Sequence, residues 1–105
     1  MDKKRDLLKK LAEFKRKVNR DMHLSNMIFF GSRAIGKQHR YSDIDLIIVS
    51  SVFRNMSFFK RGAKMYDYWT LRAPVDFLCY SPEEFRKLSR QTTIVKEAIR
   101  EGIRI

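Results

Sequence analysis

The chain has 105 residues, 44% of them hydrophobic, and a net charge of +11. That length fits one compact domain with a small core, and no run of about 18 apolar residues exists to form a membrane-spanning helix. The charge points to an anionic partner (nucleic acid, nucleotide or an acidic protein surface) or to a Lys/Arg-rich solvated surface. The basic residues concentrate in 3–20 and 54–64 without regularly interleaved aromatics, so direct nucleic-acid binding stays open but is not favoured. The N-terminal MDKKRDLLKK breaks its apolar positions with charge and reads as no signal peptide. The single cysteine, Cys79, excludes an internal disulfide and fits a reducing cytoplasm. Within VDFLCY it reads as a small core residue rather than a nucleophile.

Residues 3–18 place Leu7, Leu8, Leu11, Phe14 and Val18 at helical spacing among lysines and arginines, which predicts an amphipathic helix with a basic outer face. The apolar run 25–30 ends at Gly31 and reads as a strand. Residues 44–50, rich in β-branched side chains, read as a second and central strand. From about 57 to 71, Phe58, Phe59, Ala63, Met65, Tyr66 and Trp69 suggest a helix against the sheet. Pro74 opens a third strand, VDFLCY. Ser81-Pro82-Glu83-Glu84 then gives a complete helix start, with Ser as N-cap, Pro at the first helical position and Glu closing a capping box. A last helix spans roughly 92–101, with Ile94, Val95, Ala98 and Ile99 expected inward and Gly102 as the stop. The pattern is α/β: a small mixed sheet of three to four strands flanked by helices. The whole of 1–105 is expected to be one domain, an N-terminal helix at about 3–18 joined to a core at about 25–105.

One stretch, IFFGSRAIGKQ, mimics a phosphate-binding P-loop, G-x-x-x-x-G-K. Gln38 lacks the hydroxyl such a loop uses on magnesium. Geometry is the stronger objection: a P-loop helix must cross over to a parallel strand, which takes a dozen or more residues. Only residues 38–42 lie between Lys37 and Asp43. The first two strands must therefore be antiparallel neighbours, and the P-loop reading fails. What survives is a strand, a Gly-Ser turn and a short helix start. Gly31 permits close approach of an anion, Ser32 adds a hydroxyl, and free N–H groups at 33–34 point the same way.

That turn gains meaning from Asp43-Ile44-Asp45. Two residues apart on a strand, both carboxylates share a face, and like charges at the head of an apolar strand are costly without a cation between them. Magnesium suits the position, since it takes one or two carboxylates plus phosphate oxygens. Asp76 repeats the oddity inside apolar PVDFL. Three carboxylates beside an anion-binding turn can hold two metals for in-line phosphoryl chemistry. The alternative makes Asp43 a cap or turn residue and Asp76 a paired core charge. His23 and His39 lack metal-ligand spacing to each other or to Cys79, so zinc is not expected. His39 and Arg40 sit in the loop beside the proposed site, and Lys37 after Gly36 matches the P-loop by coincidence.

GSRAIGKQHRYSDIDL, a Gly-Ser and then Asp-x-Asp after ten residues, resembles the signature of the minimal nucleotidyltransferases of the MntA antitoxin type, in the DNA polymerase β superfamily. PVDFLCYSPEEF is similar to that family's third-carboxylate strand with its following helix start, and IVKEAIREGIRI to its C-terminal helix. The resemblance implies a polymerase β-like fold in which Asp43 and Asp45 bind two magnesium ions and Asp76 completes the catalytic metal site. It implies that Gly31 and Ser32 hold the phosphates of ATP, with Arg33 and Ser42 as weaker phosphate contacts. It also implies a partner, a HEPN-domain toxin, neutralised in some members by transfer of AMP to a tyrosine. The expected function is thus a protein adenylyltransferase antitoxin. Alternatives are an antitoxin acting by binding alone, or nucleotide transfer to RNA or a small molecule. The cluster Phe53, Met56, Phe58 and Phe59 is either core or partner surface.

Overall fold

The computed structural model describes residues 3–36, 43–91 and 93–105. The elements are α1 (Lys3–Asp21), β1 (Asn26–Phe30), β2 (Ile44–Val49), a short 3-10 helix (Ser51–Asn55), α2 (Phe58–Tyr66), β3 (Val75–Tyr80), α3 (Pro82–Gln91), α4 (Thr93–Glu101) and β4 (Ile103–Arg104). The sheet order is β3-β2-β1-β4. β1 and β2 are antiparallel, as the short connection between them requires. β2 and β3 are parallel, joined by the crossover through α2, and β4 adds to the far edge of β1 in antiparallel fashion.

Strand alternation divides the core in two. On one face Met27, Phe29, Leu46, Ile48, Phe77 and Cys79 pack against Leu11, Phe14 and Val18 of α1 and Met65 of α2. Phe14, Trp69 and Tyr66 gather on the Phe77 ring, with centroids 5.8, 5.7 and 4.9 Å from it. Cys79 is buried there, and desolvation pushes its thiol up to about 12, so it is core, as expected. The opposite face is smaller: Ile28, Ile47 and Val49 meet Ala98 of α4, with Phe30, Leu78, Tyr80 and Phe85 of α3 around them. The thinner cover on this side is what leaves room for a site.

Four local expectations change. The helix expected over 57–71 stops at Tyr66, because Trp69 turns into the core, its indole N–H donating to Ala73 O at 3.1 Å. The short helix expected after Gly31 is a turn, since Gly36 at φ 80° reverses the chain. Ile94 and Ile99, expected inward, are 59% and 37% exposed, because Val95 and Ala98 alone fill α4's contact with the sheet. The aromatic cluster splits: Phe53 is fully buried and Met56 half-buried, whereas Phe58 and Phe59 are 57% and 85% exposed. The capping box holds, with Glu84 N–H donating to Ser81 Oγ at 3.2 Å and Ser81 N–H to Glu84 Oε1 at 2.7 Å. Among the described residues, no helix is long and apolar enough to cross a membrane.

Candidate active site

β1 ends and β2 and β3 begin at the same edge of the smaller face. Register puts Asp45 opposite Phe30 on one side and opposite Asp76 on the other. Residues in register on parallel strands share a face, so Asp45 and Asp76 are lateral neighbours about 5 Å apart in the backbone. Asp45 is half-buried; Asp76 is exposed and is no paired core charge. Asp43, just before β2, is also exposed. The Asp45 carboxyl is raised above its ordinary range, first by burial, then by the charges of Asp76 and Asp43. Among the described residues, no salt bridge relieves any of the three.

Gly31 closes the arrangement. Its φ of 85° lies in the left-handed region. A Cβ there would collide with Asp45 Oδ2 and stand 3.1 Å from Asp45 Cγ. Only glycine lets the turn lie directly on the carboxylate. The turn that follows uses its own amides: Ala34 and Ile35 N–H both donate to Gly31 O, at 3.1 and 3.3 Å. The N–H of Ala34, expected free for an anion, is therefore occupied. Lys4 Nζ of α1 donates to Ala34 O at 2.7 Å and ties the turn to the first helix.

A cleft of about 610 Å³ opens over this edge. Gly31, Ser32, Asp45 and Asp76 line it, and Phe30, Leu78 and Ala98 form apolar wall. Arg33 stands on the turn but not in the lining. Ser42, Lys37, Gln38, His39 and Arg40 fall outside the described residues. Ile35, Glu97 and Glu101 also line the cleft and were not singled out in the sequence, and Ile94, expected in the core, joins them. The spacing of 94, 97 and 101 on one helix was the available signal, masked by reading Ile94 as core.

Among the described residues, no trio of His, Cys, Asp or Glu side chains forms a ready-made metal cage. Magnesium does not demand one: it is commonly held by one or two carboxylates and completed by substrate phosphates and water. A crowded, half-buried Asp45 beside Asp76 fits such an ion, which would relieve the repulsion that raises the Asp45 carboxyl.

A mixed sheet with helices on both faces and acids at one strand edge defines an α/β fold whose edge can hold a cation and a phosphate group. Residues 8–104 match the nucleotidyltransferase domain family, and the chain belongs to it. A Sulfolobus solfataricus protein described as a nucleotidyltransferase has the same fold, at TM-score 0.67 and 22% identity over 96% of this chain and 80% of its own. A toxin-antitoxin structure with AMP-PNP matches at TM-score 0.58 and 25% identity, covering 88% of this chain and 69% of that one. A mutant of the MntA-HpeT toxin-antitoxin, with two Asp-to-Glu substitutions, matches at TM-score 0.55 and 21% identity over 91% and 69%. No curated protein matches the chain.

Proposed function

We propose that this domain is a magnesium-dependent nucleotidyltransferase that moves AMP from ATP to a tyrosine hydroxyl of a HEPN-type toxin, and so serves as its antitoxin. The observation that carries the reading is the juxtaposition of Asp45 with Asp76 in strand register, beneath a glycine that no other residue could replace without collision. The likeness to a toxin-antitoxin with AMP-PNP supports a toxin as partner and an adenine nucleotide as substrate, without reaching the toxin's HEPN type. Exposed Phe58 and Phe59 suit a partner surface.

In this reading Asp43, Asp45 and Asp76 would hold two magnesium ions, which would supply charge neutralisation for the triphosphate and the leaving pyrophosphate. Gly31 lets the β and γ phosphates approach the backbone, and the Ser32 hydroxyl donates to them. Arg33 and Ser42 are secondary phosphate contacts. The acceptor oxygen forms a bond to the α-phosphorus as the bond from that phosphorus to the β-phosphate oxygen breaks. Pyrophosphate leaves with the electron pair, and the exposed Asp76 carboxylate takes the acceptor proton.

The purified pair, incubated with ATP and magnesium, should yield an AMP adduct on the toxin by intact-mass spectrometry. The Asp43→Asn/Asp45→Asn variant should lose it by about a thousandfold while staying folded. No adduct from folded proteins, with each nucleoside triphosphate tried, overturns the reading. Neutralisation that survives in the double variant without an adduct marks an antitoxin that acts by binding alone.

A further inference from the structure

Among the described residues, the cleft's charge runs against that of the chain. There are 23 Lys and Arg residues against 12 Asp and Glu. Yet the cleft's described lining contains Asp45, Asp76, Glu97 and Glu101 and no Lys or Arg. The aspartates belong to the strand edge. The two glutamates come from α4, where positions 94, 97 and 101 share one side of the helix; Lys96 and Arg100 are not among the lining residues. Glu101 meets Arg100 at 3.3 Å, but both side chains are more than half exposed, and such a pair is worth little and exchanges freely. Glu97 and Glu101 therefore remain available to a third group.

Between these acids the cleft is apolar. Ile35, from the turn, and Ile94, from α4, both line it and are 46% and 59% exposed. An apolar opening that leads to Asp76 and is rimmed by carboxylates suits one acceptor better than others. A tyrosyl ring has an apolar body and a polar tip, matching isoleucines outside and a proton acceptor within. Lysine or arginine neighbours in that segment would meet Glu97 and Glu101. A nucleic-acid acceptor would bring phosphates against the same two carboxylates.

We infer, resting on the transferase reading above, that the Ile94–Glu97–Glu101 face of α4 is the docking surface for the acceptor and selects a tyrosine flanked by Lys or Arg in a polypeptide. Glu97 and Glu101 act as specificity determinants: they hold the acceptor's cationic neighbours and take no part in the bond exchange.

Fluorescence anisotropy on the full chain without ATP tests the docking directly. The probes are a labelled peptide with Phe in place of Tyr and Lys/Arg flanks, the same peptide with Glu flanks, and a single-stranded RNA as competitor. The basic peptide should bind more tightly, lose affinity with added salt, and weaken about five- to tenfold on Glu97→Gln/Glu101→Gln. Glu97→Lys/Glu101→Lys should reverse the flank preference; both residues are exposed, so the fold is retained. Equal binding of the two peptides, a preference unchanged in the Lys variant, or RNA that displaces the basic peptide overturns the inference. A second arm adds ATP, magnesium and the Tyr peptides. Transfer without flank preference overturns the docking inference alone. Flank-dependent binding without transfer to any acceptor leaves docking supported and removes the transferase reading.

Discussion

The two ends of β3 treat charge in opposite ways. At its end, Arg61 of α2 is 5% exposed and fully engaged. Its Nε donates to Met56 O at 3.1 Å, and its Nη1 donates to Cys79 O at 3.1 Å and to Glu84 Oε1 at 2.6 Å. Nη2 reaches Glu84 Oε2 at 3.3 Å, and the Phe53 and Phe58 rings lie 5.8 and 5.9 Å from the guanidinium carbon. Glu84 serves this ion pair and the α3 capping box together. At the start of the same strand, Asp76 stands beside Asp45 and near Asp43, and among the described residues no cation pairs with them. Each cluster takes charge out of water, at Arg61 and at half-buried Asp45, but among the described residues only the first is compensated by an ion pair. The lesson is that this chain pairs a buried charge where the charge is structural. Among the described residues the three acids have no such partner, which is what the proposed metal role calls for.

Breaking the matched cluster should produce the largest loss of stability. Arg61→Ala leaves two carbonyls and the half-exposed Glu84 without their donor and should cost about 2–4 kcal/mol in denaturant unfolding, with little selective effect on nucleotide binding. At the other end, Gly31→Ala should cost about 1–2 kcal/mol for a left-handed backbone in a non-glycine residue. Its effect on transfer should be larger in proportion, because the new Cβ displaces the Asp45 carboxylate; kinetics and urea melts on one preparation separate the two.

Smaller effects sharpen the contrast by their sign. Asp45→Asn should abolish transfer yet slightly raise the melting temperature of the metal-free protein near neutral pH, since it removes an ion disfavoured by burial and like charge. A lowered melting temperature would mean that the acid is structural. Glu84, held below its ordinary 4.5 by the hydrogen bond from Arg61, should show the reverse linkage. Its contribution is present above about pH 4.5 and is lost as pH falls through its depressed value. Wild-type stability should decline through that range, and Glu84→Gln should lie below it at neutral pH and converge with it in acid.

Much of the site is legible in the order of residues along the chain. Gly31-Ser32 followed by Asp43 and Asp45 can be picked out because strand alternation and turn chemistry are local. The antiparallel pairing of β1 and β2 follows from the length of their connection alone. Arg61 is not legible: in a basic run such as KRGAK, nothing distinguishes the one arginine that α2 turns inward. Ile94 misleads for a related reason. Its spacing fits a buried stripe, and only the sheet's short reach under α4 leaves it at the cleft.

The sequence by itself determined which residues could do phosphoryl chemistry, since residue type and spacing are properties of the chain. It also marked where most of the helices and strands begin, through caps, prolines and periodicity, though not the 3-10 helix at Ser51–Asn55 or β4. The tertiary structure alone decided that Asp76 lies in register with Asp45, that the Gly31 backbone rests on that carboxylate, and that two glutamates of α4 face the same cleft. Those are relations between segments distant in sequence. They are set by how two sheet faces and four helices pack together, and no local pattern carries them.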